Sequence, residues 1–458
     1  MKRFMKKIHM AGIGGAGMCP LAEVLLSRGH CVTGSDKQVS AATKYLEVLG
    51  IKVQYDHEPS LIAGSDLLVF SSAVAVDNPE RKYAVANGIP AIRRAEVLGD
   101  VMRDGFAVCI SGTHGKTTTT SLIGTVFTDA KFSPTVLVGG MMRSAGSHAI
   151  VGNGDIFVVE ADEYDRSFLA MYPSIAVITN IDVDHLDCYK DIDDIKDAFV
   201  QFTERVPFDG AVIVCTDNEN VVDILPRIRR SVITYGIGDN TDYRAVNIKH
   251  ESGKTVFDVL IRGKSSGSIS INIPGLHNVR NVLAAIAVAT EMGIDFNSIA
   301  QSVSNFQGVK RRFEIVGTVN EAVIVDDYAH HPGEITAALE AARSGGYQRI
   351  IAVFQPHLYT RTRDFMEEFA VSLSGADTVF VTDIYKSREQ PIPGVNASEI
   401  VSRINAAGKA CASYIHDKND VAEKLRDNIG KGDLVIFMGA GDIWESARSL
   451  VLGEGKNG

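Results

Sequence analysis

The run Ser111-Gly112-Thr113-His114-Gly115-Lys116-Thr117 places a flexible turn, a cation and a hydroxyl in the order that holds a nucleoside triphosphate. In such a loop the backbone N–H groups cradle phosphates, the lysine reaches the β/γ oxygens, and the threonine hydroxyl is a ligand for Mg2+. Ile110 stands where a strict GxxxxGK[ST] has its first glycine, but Gly115-Lys116-Thr117 is intact and Thr118 follows. The loop comes after the apolar run 107–110 and before a helical pattern, so that a helix N-terminus faces the anion. Two other apolar runs end in acid: Glu160-Ala161-Asp162-Glu163-Tyr164-Asp165 and Asn180-Ile181-Asp182-Val183-Asp184-His185-Leu186-Asp187. One acidic turn alone is most often solvation or helix capping. Two beside a phosphate loop point to a metal–phosphate site, because ligands of open parallel sheets bind outside the strands' carboxyl ends. Magnesium favours carboxylate and phosphate oxygens, so Glu160 is a candidate ligand and His185 a less usual one.

A second glycine loop lies near the start. Gly12-Ile13-Gly14-Gly15-Ala16-Gly17 fits GxGxxG between an apolar run and a helical pattern, and Asp36 follows the next run. The spacing indicates a diphosphate on a helix N-terminus without saying which nucleotide carries it. NAD is the default ligand, and a UDP-sugar is chemically as good.

The elements that must hold these loops are legible as alternating strands and helices. Short apolar runs at 7–11, 30–34, 67–71 and 89–92 have helical patterns between them, which predicts βαβ units and a parallel sheet. A second sheet is predicted from runs at 107–110, 156–159 and 175–179, continuing into alternating strands over 211–273 with loops such as 263–267. A third is predicted from 322–325, 349–354, 378–382 and 434–438. The expected fold is α/β with three domains: a Rossmann-like domain over 1–103, a central P-loop ATPase-type domain with a mixed sheet over 104–314, and a Rossmann-like α/β domain over 315–458.

Composition narrows the function classes. With 458 residues the chain has room for about three domains. A net charge of −10 argues against a nucleic-acid partner, while a local basic pocket still allows small anionic substrates. Cys19, Cys31, Cys109, Cys188, Cys215 and Cys411 form no CxxC pair, which fits reduced thiols in a cytoplasmic protein. The basic start, residues 1–7, runs into glycine and not into an apolar core, and no later stretch reaches the length of a membrane span. A soluble cytoplasmic protein without a membrane partner is expected, its oligomeric state open between monomer and homodimer.

Taken together, the motifs resemble the Mur ligase family. Gly-Thr-His-Gly-Lys-Thr-Thr at 112–118, Glu-Ala-Asp-Glu at 160–163 and Asp184-His185 occur in family order. Gly275-Leu276-His277-Asn278 with Asn281, Gly308-Val309-Lys310-Arg311-Arg312-Phe313, Asp326-Asp327-Tyr328-Ala329-His330-His331-Pro332 and Gln355-Pro356-His357-Leu358-Tyr359-Thr360-Arg361 complete the set. The likeness runs from about residue 8 to 445. It implies ATP- and Mg2+-dependent ligation of L-alanine to the carboxylate of UDP-N-acetylmuramate. The first domain would bind UDP through Gly14, Gly15, Ala16 and Gly17, with Asp36, Ser71 and Ser72 nearby. ATP would lie on Gly112, Thr113, His114, Gly115, Lys116, Thr117 and Thr118, with His277, Asn278 and Asn281 toward the adenine nucleotide and Arg311 or Arg312 toward the phosphates. Thr117, Glu160 and His185 would hold metal, and Lys116, His185 and Arg312 would be catalytic. Tyr328, His330, His357 and Arg361 would receive the amino acid. Leu358 departs from the family form, which has arginine there.

Three rival readings remain open on sequence. A peptide-recycling ligase would share the first two domains, but its C-terminal motif normally departs from Gln-Pro-His-x-Tyr-Thr-Arg. An NAD-dependent oxidoreductase leaves the Lys116 loop and both acidic runs without a task. A non-catalytic nucleotide-binding regulator is disfavoured by acidic runs beside a phosphate loop.

Overall fold

The computed structural model describes residues 5–142, 147–185, 188–251, 254–387 and 389–453. Leu186 and Asp187 of the second acidic run, and residues 1–4 of the basic start, lie outside the described residues. The chain is α/β and builds three sheets.

The first sheet contains β1 (Lys7–Ala11), β2 (Cys31–Ser35), β3 (Lys52–Gln54), β4 (Leu67–Phe70) and β5 (Ala91–Arg93) in the order β3-β2-β1-β4-β5. Every pairing is parallel. Strand order reverses between β1 and β4, which opens a crevice at their carboxyl ends, just where the first glycine loop leaves β1. The helices α1 (Met18–Ser27), α2 (Ala41–Val48), α3 (Pro79–Ala86) and α4 (Arg94–Met102) supply the connections.

The second sheet has ten strands: β6 (Phe106–Ser111), β7 (Thr135–Met142), β8 (Ser147–Ile150), β9 (Ile156–Glu160), β10 (Ile175–Ile178), β11 (Ala211–Cys215), β12 (Ser231–Gly236), β13 (Tyr243–Glu251), β14 (Lys254–Ile261) and β15 (Lys264–Ile271). Their order is β15-β14-β13-β12-β11-β10-β6-β9-β7-β8. β6 therefore lies between β9 and β10, parallel to both, and runs through the phosphate loop into α5 (Lys116–Asp129). The segment 263–267, expected as a loop, is a hairpin turn only at Gly263 (φ +77); Gly267 belongs to β15. A Cβ on Gly267 would stand 2.8 Å from the Phe296 ring, so the glycine marks a close approach of that ring to a strand and not a turn.

The third sheet has β16 (Glu314–Val319), β17 (Ala322–Asp327), β18 (Arg349–Phe354), β19 (Thr378–Thr382), β20 (Cys411–Ile415) and β21 (Asp433–Met438) in the order β16-β17-β21-β18-β19-β20. Only β16 is antiparallel to its neighbour.

The chain divides into two compact units, one of Met1–Val246, Asp258–Ile269 and Arg280–Phe306, the other of Asn247–Phe257, Ser270–Val279 and Gln307–Gly458. In the first unit one apolar core runs continuously from Ile8 of β1 to Ile224, beneath both the first sheet and the near half of the second. In the second unit Ala338, Leu339, Phe369 and Ile400 cover one face of the third sheet, and Val421, Leu425, Ala447 and Leu450 the other. Both faces of its parallel strands are thus buried, as such strands require. No helix among the described residues is long and apolar enough to cross a membrane.

Candidate active site

The first glycine loop is braced from below. Ser35 O at the end of β2 accepts N–H groups from Gly12 (2.8 Å) and Ile13 (2.9 Å), and Gly14 N–H donates to Asp36 Oδ2 (2.9 Å). Asp36 Oδ1 accepts from Gln38 N–H at 3.2 Å. Both Asp36 oxygens therefore brace backbone, at the position where a dinucleotide fold places an acid for a ribose hydroxyl. Ser71 lies beside Gly12, 3.6 Å from where a Cβ would be, and Ser72 is exposed on the following turn. Beneath the loop Glu80 is fully buried. It accepts from Ser35 Oγ at 2.7 Å and pairs with His9 Nε2 and His57 Nδ1 at 2.9 Å each. Burial pushes its carboxyl up, but the bonds from His9, Ser35 and His57 outweigh this and hold it below the usual value.

The Lys116 loop joins the two acidic runs, because they leave the strands on either side of β6. Toward β10, His114 N–H donates to Asn180 Oδ1 (2.8 Å), Thr113 Oγ1 accepts from Asp182 N–H (2.9 Å), and Thr179 Oγ1 donates to His114 O (2.6 Å). A Cβ on Gly112 (φ +136) would collide with Thr179 Oγ1, and one on Gly115 (φ +83) would lie 2.6 Å from Asn281 Oδ1. These two positions need glycine for both conformation and space. Thr118 is buried in the first turn of α5.

Toward β9, Thr117 Oγ1 donates to Glu160 at 3.0–3.2 Å, and Gly139 N–H donates to Glu160 Oε2 at 2.8 Å. Lys116 Nζ bonds Gly112 O (2.6 Å) and both oxygens of Glu163 (2.8 and 2.9 Å). Burial disfavours the ammonium, but Glu163, Asp162 and Glu160 raise its pKa above the ordinary lysine value. Burial likewise works against the Glu163 carboxylate, which Lys116 and His185 bring below its ordinary range. His185 Nε2 is 3.6 Å from Glu163 Oε1. Asp162, Glu163 and His185 offer ligand atoms within 4.8 Å of one another. The expected metal set of Thr117, Glu160 and His185 thus falls into two groups, Thr117 with Glu160 and His185 with Asp162 and Glu163. Oxygen donors dominate both, which suits Mg2+.

Asn281 belongs to the helix Leu276–Glu291. Its Oδ1 accepts from Thr119 Oγ1 at 3.2 Å, so it supports the phosphate loop from behind as well as abutting Gly115. In the second unit, Asn278 Nδ2 donates to Pro274 O at 2.6 Å, and the His277 ring packs on Gly275.

Arg311, expected at the phosphates, is committed inside the second unit. Its guanidinium donates to Gly439 O (2.6 Å) and Gly441 O (3.1 Å) and faces Asp326 at 3.4 Å. Burial pushes the Asp326 carboxyl up to about 6 in spite of that arginine. Arg312 lies 3.5 Å from Glu334 and over the Tyr328 ring. His330 Nδ1 is 2.9 Å from Tyr328 O and 3.0 Å from Glu334 Oε2. The His330 and His357 rings are 6.1 Å apart, and His357 stacks on Tyr385 at 5.7 Å. Tyr328, His330 and His357 therefore form one aromatic cluster, with Arg361 on the short helix Tyr359–Asp364 that follows.

Several participants were not singled out from sequence. Glu163 and Asp162 were visible only as members of an acidic run. Glu334 and Tyr385 carried no signal, since one is an ordinary helix acid and the other a lone tyrosine. Glu389, which accepts from Tyr359 N–H (2.6 Å) and Thr360 N–H (3.1 Å), is separated in sequence from that helix by the helix Met366–Leu373 and by β19.

Three family descriptions match the chain: Mur ligase family, catalytic domain, over residues 7–105; Mur ligase middle domain, over 110–289; and Mur ligase, glutamate ligase domain, over 311–441. The UDP-N-acetylmuramate–L-alanine ligase of Salinibacter ruber is 46% identical over 98% of this chain and 94% of its own. That of Geotalea daltonii is 46% identical over 98% of both chains. Among solved structures, the UDP-N-acetylmuramate–alanine ligase of Thermotoga maritima aligns with a TM-score of 0.83 and 29% identity, covering 98% of this chain and 99% of that one.

Proposed function

Because the chain belongs to the Mur ligase family, we propose that it ligates L-alanine to the carboxylate of UDP-N-acetylmuramate, converting ATP to ADP and phosphate, in peptidoglycan precursor synthesis. Residues 1–103 hold the UDP-sugar on Gly14–Gly17, 104–314 hold ATP on the Lys116 loop, and 315–458 receive alanine near Tyr328, His330, His357 and Arg361. The observation that carries the reading is the pairing of Lys116 with Glu163 and of Thr117 with Glu160 at the carboxyl ends of adjacent strands. The near full-length similarity to two named alanine ligases supports the choice of substrates.

A carboxylate is a poor electrophile, so its oxygen attacks the γ-phosphorus and the bond to the β-phosphate oxygen breaks, releasing ADP. The alanine amine, having lost its extra proton, then attacks the acyl-phosphate carbonyl. The tetrahedral intermediate collapses by expelling phosphate, and an amide remains. Lys116 stabilises charge on the transferring phosphoryl group, and Arg312 supplies a second cation. Glu163 holds the lysine over the loop until the nucleotide arrives. Thr117, Glu160, Asp162, Glu163 and His185 would hold Mg2+, whose contribution when bound is to neutralise phosphate charge and align the phosphates. Holding three substrates in register supplies the proximity term.

The test is ADP release by the purified protein with UDP-N-acetylmuramate and a panel of amino acids. Release that requires both the UDP-sugar and alanine is expected. Release with another acceptor, or none at all, rejects the assignment.

A further inference from the structure

Leu358 stands between His357 and the short helix Tyr359–Asp364 that carries Arg361, and its backbone lies at φ +70°, ψ +139°. A positive φ crowds the Cβ of any residue but glycine, so the turn is strained here and persists only because its surroundings impose it. Leu358 is also the N-cap of that helix. A side-chain oxygen ordinarily accepts the first amides from this position, and leucine has none to offer.

The missing oxygens come from a residue 30 positions beyond Tyr359. Glu389 Oε2 accepts the N–H groups of Tyr359 (2.6 Å) and Thr360 (3.1 Å), and Thr360 Oγ1 donates to Glu389 Oε1 at 2.5 Å. Both carboxylate oxygens are thus engaged on the first turn of the helix. The same segment clamps the other flank of Leu358. Tyr385 N–H donates to Pro356 O (2.8 Å), Tyr385 O accepts from Leu358 N–H (3.0 Å), and the Tyr385 ring stacks on His357. Glu389 N–H donates to Lys386 O at 2.9 Å, so the chain between the two clamps is itself closed as a turn. Within the helix, Leu358 O accepts from Thr362 N–H (3.1 Å) and Thr362 Oγ1 (2.7 Å). The strained residue is therefore fixed on both sides, with His357 before it and Arg361 three positions after it.

Resting on the reading that His357 and Arg361 receive alanine, we propose that Glu389 is a positioning residue of the amino-acid site. It holds the strained turn at Leu358, and through that turn it fixes the direction from which Arg361 meets the alanine carboxylate. It touches no substrate itself and acts through the backbone of Tyr359 and Thr360. Without it two helix amides lose their acceptor, Leu358 relaxes toward negative φ, and Arg361 no longer keeps its place relative to His357.

Steady-state kinetics of the full chain with ATP, UDP-N-acetylmuramate and L-alanine test this. Glu389→Ala is expected to raise the KM for L-alanine by roughly 10- to 100-fold, the scale on which a misplaced binding group is felt. The kcat at saturating L-alanine, and the KM for ATP and for the UDP-sugar, should change little. Glu389→Asp keeps the charge but falls one methylene short, and should behave like Glu389→Ala. Glu389→Gln keeps the length and one acceptor oxygen and should fall between; it carries the test if Glu389→Ala unfolds. A cap with a merely structural role predicts the opposite split, less active protein and hence a lower kcat with all three KM values intact. That result, or an unchanged KM for L-alanine in folded variants, overturns the proposal. Arg361→Ala separates it from the reading beneath it. If Arg361→Ala raises the KM for L-alanine and the Glu389 variants do not, Glu389 has no positioning role. If Arg361→Ala leaves that KM unchanged, the amino-acid site itself is misassigned, and the proposal falls with it.

Discussion

At the scale of single residues the centre is a buried ion pair that does two jobs. Lys116 must be cationic to meet phosphate, and with side-chain exposures of 13% and 3% it and Glu163 are shut from water together. Removing one member of a buried pair leaves an uncompensated charge, at about 3–5 kcal/mol. Lys116→Ala is therefore expected to lose roughly 10²–10³ in rate and also to melt earlier. Adding Glu163→Gln should recover much of the melting temperature but none of the ligation. A folded Lys116→Ala protein with near-normal turnover would contradict the assignment of the loop. Gly115-Lys116-Thr117 was legible because that chemistry is local. The partnership with Glu163 was not, since it spans 47 residues and depends on β9 lying next to β6. Leu358 raises a second question at this scale, since without an arginine there the alanine carboxylate needs another cation. Arg361→Ala is expected to raise the alanine KM by at least about tenfold, a charge-assisted bond's worth, with the ATP KM little changed. Asp364 is already engaged by Arg363 at 2.7 Å, so Asp364→Ala should leave both constants alone. Steady-state kinetics showing equal, small effects from the two variants would reject the anchor.

At the scale of elements, the first glycine loop owes its shape to a network one layer below it. Glu80 at the start of α3 ties β1 through His9, β2 through Ser35, and the turn after β3 through His57, and Ser35 O then fixes Gly12 and Ile13. Glu80 titrates lower in the folded chain than in the unfolded one. Its contribution is thus complete above the unfolded value of about 4.3 and disappears as pH falls through the folded one. Glu80→Gln is expected to lose about 2–3 kcal/mol at neutral pH, with the gap to the unaltered protein closing in acid. Chemical denaturation at several pH values checks this, and a gap that widens in acid would contradict it. Strands with continuous apolar runs were readable: 7–11, 349–354 and 378–382 coincide with β1, β18 and β19. β3 and β20 were missed because edge strands bury little; β20, Cys-Ala-Ser-Tyr-Ile, buries only Ala412 and Ile415. Gly267 misled in the opposite sense, since a glycine that admits a neighbouring ring reads from sequence like one that makes a turn.

At the scale of the whole molecule, two glycine loops, each following a parallel strand of a different sheet, call for two phosphate-bearing ligands. The Asp36 carboxylate accepts from the Gly14 and Gln38 N–H groups and so braces the loop, and the choice between a UDP-sugar and NAD falls to thermal shift. UDP-N-acetylmuramate at about 100 times its dissociation constant should add about 2.7 kcal/mol of stability, seen as a rise in melting temperature, while NAD should add none. A shift with NAD alone would return the chain to the oxidoreductase reading. The central claim is that the sugar acid is activated by transfer of the γ-phosphoryl group to its own carboxylate, and isotope transfer tests it most directly. With UDP-N-acetylmuramate labelled by 18O in the carboxylate, each turnover with ATP and alanine should deliver one labelled oxygen into the released phosphate, read by mass spectrometry, alongside one amide product. Amide formed with unlabelled phosphate would contradict the account.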